Sequence, residues 1–268
     1  MLGAIIGDIV GSRFEWNNHR SKDFKFFDDD LCKLTDDSIM TLAVAKSLIE
    51  CNEDYDKLHD IVINNMVTIG RKYPNCGFGG HFYQWIMTDN HEPYNSYGNG
   101  SAMRVSACGY VGKDLDEVKK LSKIVTEVSH NHPEGIKGAE ATAVSIYLAR
   151  TGKTIEDIKK YIKENYYDIN FTLDEIRETY KFNETCQDTV PQALEAFFES
   201  NSFEDAIRNA ISIGGDSDTL ACITGGIAAA YYGIPERIRF DSFYFFDILQ
   251  RDILLDFEKK YGTGYKLV

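Results

Sequence analysis

A chain of 268 residues with 43% hydrophobic residues and only 5 Pro can bury one large core, so a single domain over residues 1–268 is expected. Its 29 Lys and Arg against 42 Asp and Glu give a formal net charge of −13, which argues against a nucleic-acid backbone as the main partner and favours cations. The 6 Cys show no CxxC pair or zinc-like spacing, the opening MLGAIIGDIVGSRF lacks a basic leader, and no segment has the roughly 18 unbroken apolar residues that span a bilayer; a cytoplasmic protein with reduced thiols and no membrane partner is expected.

Residues 35–50 place Ile39, Leu42, Ala43, Ala45, Leu48 and Ile49 largely on one side at helical period. Residues 58–69 repeat the pattern with Leu58, Ile61, Val62, Met66 and Ile69. The stretch 71–105 is the least helical: RKYPNCGFGG and NHEPYNSYGNGSAMR are rich in Gly, Asn and Tyr and read as a long loop, a binding surface or an irregular cover. Helical period returns over 115–128, through Leu115, Val118, Leu121, Val125 and Val128, and over 133–150, which opens on Pro133 in a favoured first-turn position and stops at Gly152. Further helices are expected over 154–165, 172–180, 189–200, 203–212, 218–232 and 241–260. Period-2 runs of β-branched residues are scarce, so the expected fold class is all-α. No repeat, linker or low-complexity segment interrupts it, and FDDDL at 27–31 reads as a solvated acidic loop.

Two acidic motifs stand out. GGDSDT at 214–219 sets Asp216 and Asp218 two residues apart between apolar stretches. Residues at that spacing do not share a helix face, so their carboxylates converge only if the backbone turns, which Gly214 and Gly215 make easy. The plain alternative is that Asp216 or Ser217 caps the following helix. In LTDDSIM at 34–40, Thr35, Asp36 and Asp37 open the helix of 35–50, again as an ordinary capped start would. Together the motifs offer four carboxylates and Thr hydroxyls at two helix N-termini, hard oxygen donors suited to Mg²⁺, Mn²⁺ or Ca²⁺ rather than Zn²⁺. An EF-hand is excluded because Leu220 and Ala221 fall where its next ligand and glycine belong, and the DDxxD signature of isoprenoid synthases fails at Met40.

In these motifs and the segments around them the chain resembles the ADP-ribosylglycohydrolase family. GAIIGDIVGSRFE at 3–15 is similar to the family's opening helix, LTDDSIMTLAVAKSL to its first metal motif, and YGNGSAMRV to its substrate loop. SHNHPEGIKGAEATA resembles the following helix and GGDSDTLACITGGIAAAYYG the closing metal motif. The five segments stand in the family's order between residues 3 and 233, so the resemblance extends over nearly the whole chain. Ser38 and Ser217 stand where many relatives carry Thr, and both keep the hydroxyl.

The resemblance implies a compact all-α fold with a central crevice that holds two Mg²⁺, or Mn²⁺ in some members, and binds ADP-ribose attached to another group. One metal cluster would use Thr35, Asp36 and Asp37, and the other Asp216, Asp218 and Thr219, with Asp218 bridging. Glu15 matches a family glutamate at the metals and would do acid or base work, with Asp36 or Asp37 as competitor; on its own residue type it reads as a surface ion pair with Arg13. Asp8 would support the site through buried hydrogen bonds. Asn95, Ser96, Tyr97, Gly98 and Asn99 match positions lining the diphosphate and ribose, and Gly98, Asn99 and Gly100 would let backbone N–H groups approach phosphate oxygens, although the same residues also suit a plain turn. His130 matches a histidine near the ligand, while His132 would close the loop and Met103 and Arg104 would be structural, Arg104 tied to a neighbouring carboxylate. The implied activity is metal-dependent hydrolysis of the bond between the anomeric ribose carbon and an acceptor, either a protein side chain such as arginine or serine or a small conjugate. A non-catalytic ADP-ribose-binding module and a crystallin-like structural protein are the alternatives.

Overall fold

The structure, a computed structural model, describes residues 1–262, so positions 263–268 of the expected domain lie outside the described residues. Its helices in chain order are α1 (Leu2–Gly11), α2 (Asp36–Cys51), α3 (Leu58–Gly70), α4 (Gly80–Met87), α5 (Gly100–Met103), α6 (Ser106–Val111), α7 (Leu115–Glu127), α8 (Pro133–Arg150), α9 (Ile155–Asn165), α10 (Leu173–Ile176), α11 (Cys186–Phe198), α12 (Phe203–Ile211), α13 (Ser217–Tyr232), α14 (Glu236–Ser242) and α15 (Ile248–Tyr261). The protein is all-α: no strand forms among the described residues, where Gly98 and Thr185 pair only in an isolated antiparallel bridge. No helix among them is long and apolar enough to cross a membrane.

The architecture is organised around α13. Every residue from Ser217 to Ala230 is buried, which requires neighbours on all sides, and α1, α8, α11 and α12 supply them. The closest of these contacts is with α1, whose Gly3, Gly7 and Gly11 lie four residues apart and form one stripe. A Cβ on Gly7 would collide with the Ala221 carbonyl oxygen, one on Gly3 with that of Gly225, and one on Gly11 with that of Ser217. Contacts that run forward on one helix and backward on the other describe an antiparallel pair. Backbone lies on backbone, so the polar side chains of the two helices, Asp8 and Asp218, are drawn together.

Elsewhere the structure departs from the expected boundaries for local reasons. The 71–105 stretch contains α4, whose GHFYQWIM buries Phe82, Trp85 and Ile86, and the single turn α5. The helix expected over 172–180 ends after one turn, although Thr172 and Glu175 form a complete capping box. The helix expected over 241–260 is broken, because a 3-10 turn at Phe243–Phe245 follows α14 and Asp247 starts α15 with its own capping box to Gln250. Pro133 does occupy the first turn of α8.

Candidate functional site

The N-termini of α2 and α13 meet at the C-terminal half of α1. Thr35 caps α2 by accepting from the Asp37 N–H at 3.3 Å, and its hydroxyl donates to Asp8 Oδ1 at 2.7 Å. Asp8 Oδ2 accepts from the Thr35 N–H at 2.9 Å, from the Ser38 N–H at 3.1 Å and from the Ser38 hydroxyl. Four donors thus dock the start of α2 onto one fully buried carboxylate, the supporting role expected for Asp8.

The start of α13 is built differently. Gly214 and Gly215 take positive φ values of 71° and 79°, the left-handed region that glycine enters without strain. The Gly215 N–H is held by Asn18 Oδ1 at 2.6 Å. Asp216 is the N-cap residue by position, yet its side chain makes no cap hydrogen bond; instead it accepts from the Asn99 amide at 2.6 Å. Capping therefore does not account for Asp216. Thr219 donates to Asp37 Oδ2 at 3.2 Å and ties α13 to α2.

Two carboxylate triads result, Asp8 with Asp37 and Asp218, and Glu15 with Asp216 and Asp218, the donor oxygens of each within 4.8 Å of one another. Asp218 belongs to both. Burial first, and then the charge of Asp218, pushes Asp36, Asp37 and Asp216 well above the usual carboxylate range, and Asp8 and Glu15 to about 7. Asp218 is itself raised by burial. Among the described residues no Lys, Arg or His forms an ion pair with any of these six groups. Asp37 Oδ1, although buried, has no hydrogen-bond partner. Converging oxygen donors, mutual repulsion and an orphaned carboxylate oxygen fit hard divalent cations at this position.

These carboxylates form one side of a cavity of about 250 Å³. Of the expected site residues, Glu15, Asp36, Asp37, Ser96, Gly98, Asn99, Gly100, His130, Asp216, Asp218 and Thr219 line it. Thr35 does not; its hydroxyl donates to Asp8 Oδ1. Asn95 and Tyr97 do not either. Lining residues alternate along this segment, so Asn95, at φ 55°, turns its N–H to Asn131 Oδ1, and the Tyr97 ring, 45% exposed, packs against His132 outside the cavity. The glycine loop is pinned by the Asn99 N–H to Glu184 O at 2.7 Å and the Cys186 N–H to Tyr97 O at 3.0 Å. The Asn99 amide is divided between Asp216 and Thr189, so this residue touches both the loop and the carboxylates.

Three further placements correct or refine the sequence reading. Arg104 has no carboxylate partner among the described residues; its Nη2 donates to the Val125 and Thr126 carbonyls and to Ser129 Oγ, because the C-terminal end of α7 already supplies partial negative charge. Arg13 pairs with Asp28 at 3.6 Å rather than with Glu15. His132 caps α8 through Nδ1, which accepts from the Glu134 N–H. Sequence reasoning passed over Gly77, Phe82, Tyr94, Phe182 and Glu184, all of which line the cavity. The Gly and aromatic content of 71–105 was a signal for the first three, whereas 182–184 carries none.

The geometry has counterparts among known proteins. A human ADP-ribosylhydrolase ARH3 is 24% identical, with 88% of this chain matched to 85% of that protein. The chicken ARH3 is 27% identical over 74% of this chain and 70% of its own length. A solved structure described as an ADP-ribosylglycohydrolase-related protein complex shares the fold, with a TM-score of 0.71 at 20% identity, covering 98% of this chain and 96% of that one. The family model for ADP-ribosylglycohydrolase matches residues 1–256, and the chain belongs to the ADP-ribosylglycohydrolase family.

Proposed function

We propose that this protein hydrolyses the bond between the anomeric ribose carbon of ADP-ribose and an acceptor, in a reaction that depends on two divalent cations, Mg²⁺ or Mn²⁺. The observation that carries the reading is the pair of buried carboxylate triads sharing Asp218 beside a cavity walled by the 96–100 loop. Thr35, Asp36, Asp37, Asp216, Asp218 and Thr219 are the residues assigned to the ions, with Asp8 holding α2 in place and Glu15 at the edge. Bound ions would orient the sugar and lower the pKa of the attacking water.

The chain's own groups do the rest. Ser96, Gly98 and Gly100 leave the cavity wall open to close approach by the diphosphate and ribose. Asn99 orients Asp216 through its 2.6 Å hydrogen bond. Glu15 is half-buried and lines the cavity, so it suits proton transfer at the departing acceptor better than Asp37, which is fully buried and held by Thr219. Asp36 lines the same cavity and is the remaining competitor.

The test is release of free ADP-ribose from arginine-linked, serine-linked and small-molecule conjugates, with Mg²⁺, Mn²⁺ or EDTA. The expected result is release from at least one conjugate that EDTA abolishes. Tight ADP-ribose binding without release from any conjugate would favour the non-catalytic binding module instead. Absence of both binding and release would favour the structural role.

A further inference from the structure

Arg104 is the largest fully buried side chain among the described residues and stands in the wall of the ligand cavity. A guanidinium carries donors only, so Ser129 Oγ, 2.9 Å from Nη2, must accept from it. The same hydroxyl lies 2.8 Å from His130 Nδ1. Ser129 is fully buried, and its one proton has no other acceptor within bonding distance among the described residues. Were Nδ1 to carry the ring proton, the hydroxyl would accept twice and its own proton would be stranded away from water. If the hydroxyl donates to Nδ1, both Ser129 Oγ and Nδ1 are satisfied and the ring proton sits on Nε2.

The surroundings give that choice a consequence. Cβ atoms placed on Gly98 and Gly100 would sit 3.5 and 3.4 Å from His130 Nε2, so the two glycines keep this edge of the ring open to the cavity. Phe82 and Tyr94 flank the imidazole at 6.1 and 5.9 Å between ring centroids. Burial, and then the charge of Arg104, hold His130 well below its usual pKa range, so the ring stays neutral and its tautomer decides whether the exposed edge donates or accepts. Arg104 Nε and Nη1 have no hydrogen-bond partner of their own. Their positive charge behind the loop favours an anion in front of it.

We propose that Arg104 and Ser129 act as positioning residues, a relay that fixes His130 with its proton on Nε2 and so presents one N–H donor beside Gly98 and Gly100 to an anionic oxygen of the ligand's diphosphate. The ligand's identity rests on the proposed function; the tautomer does not. In the opposite tautomer a lone pair would face the phosphate and repel it.

Long-range ¹H–¹⁵N NMR of the full-length, ¹⁵N-labelled protein at pH 7 reads the tautomer without ligand. The expected wild-type spectrum has an unprotonated Nδ1 and a protonated Nε2 for His130. Ser129→Ala should move the Nδ1 resonance, let the Nδ1-protonated form appear, and weaken ADP-ribose binding about tenfold by calorimetry. Ser129→Thr, which keeps the hydroxyl, should retain both properties. A wild-type ring protonated on Nδ1 overturns the relay, as does a Ser129→Ala protein with unchanged His130 resonances and unchanged affinity. Should Ser129→Ala not fold, the wild-type spectrum and Ser129→Thr decide the matter. An Nε2-protonated ring in a wild-type protein that does not bind ADP-ribose supports the relay and overturns the ligand assignment instead.

Discussion

Asn99 and Asp216 are joined by a 2.6 Å hydrogen bond across 117 residues of sequence, and through it the glycine loop and the carboxylate cluster become one unit. A loop residue that served the ligand alone could be removed without disturbing the carboxylates, but Asn99 is bonded to one of them. A hydrogen bond to a charged group is worth roughly 1.5–3 kcal/mol, so Asn99→Ala should lower Mn²⁺ affinity by about tenfold or more as well as weakening ADP-ribose binding. Titration calorimetry with Mn²⁺ alone checks this. Unchanged Mn²⁺ affinity would mean that Asp216 keeps its orientation without the amide.

Asp216→Asn and Asp218→Asn separate a metal site from a helix start. Asn caps a helix as well as Asp does, and the Asp216 side chain makes no cap bond to lose. A capping role therefore predicts near-native turnover. Loss of partners that merely support a ligand costs roughly 10–100-fold, so loss of a ligand should cost more than about 100-fold in ADP-ribose release at saturating Mg²⁺. Both metal-free variants should melt at or above the wild-type temperature, since each removes one charge from a repelling cluster. Turnover close to wild type in both would remove these residues from the chemistry.

The pH dependence of the metal-free protein has a definite sign. Burial and the neighbouring carboxylates raise Asp8 and Glu15 to about 7 from the ordinary 3.8 and 4.5, so the folded state holds protons that the unfolded chain has released. Their contribution to stability is greatest below about pH 4 and is lost as pH rises to 7. Metal-free protein should accordingly melt at a lower temperature at pH 8 than at pH 5.5. Added Mg²⁺ should raise the pH 8 value, by the equivalent of about 2.7 kcal/mol at a concentration 100-fold above Kd. Differential scanning calorimetry at both pH values, with and without Mg²⁺, reads both effects; a melting temperature that rises from pH 5.5 to 8 without metal contradicts the reading.

Gly7→Ala tests the helix pair that carries the cluster. The added methyl meets the Ala221 carbonyl, which is backbone and cannot rotate aside, so about 3 kcal/mol or more of stability should be lost. Gly80→Ala is the control. Its Cβ would meet nothing within 4 Å and it lies in the first turn of α4, so it should stabilise by about 0.5–1 kcal/mol. Urea unfolding of the two variants compares them directly, and equal midpoints would show that α1 and α13 can separate at little cost.

The long helices were legible because their apolar period is sustained: α2, α3, α7, α8 and α13 fall close to where the pattern puts them. The break before α15 was hidden because Phe243, Phe245 and Phe246 continue an apolar pattern through it, and only the Asp247 cap marks the restart. α4 was hidden by the Gly79–Gly80 pair at its start and by its short length. At the site, the Asp and Thr residues announced themselves through donor chemistry at helix starts. Links such as Asn99 to Asp216, or the Glu184 carbonyl to the Asn99 N–H, join positions with no periodic relation, and nothing in local sequence encodes them. The carboxylate expected for Arg104 was the wrong partner because a helix C-terminus offers negative charge without any acidic residue to read.

The glycine stripe of α1 also sets an order of events during synthesis. α1 is buried over its whole length in the finished protein, and its tightest partner, α13, is made only after all the helices between them. Until Ser217 to Gly225 leave the ribosome, LGAIIGDIVG has no backbone surface to rest on and remains a greasy segment in need of shelter. Asp8 and Asp218 therefore meet only after α13 has been made, so a chain that stops short of it cannot assemble the carboxylate cluster.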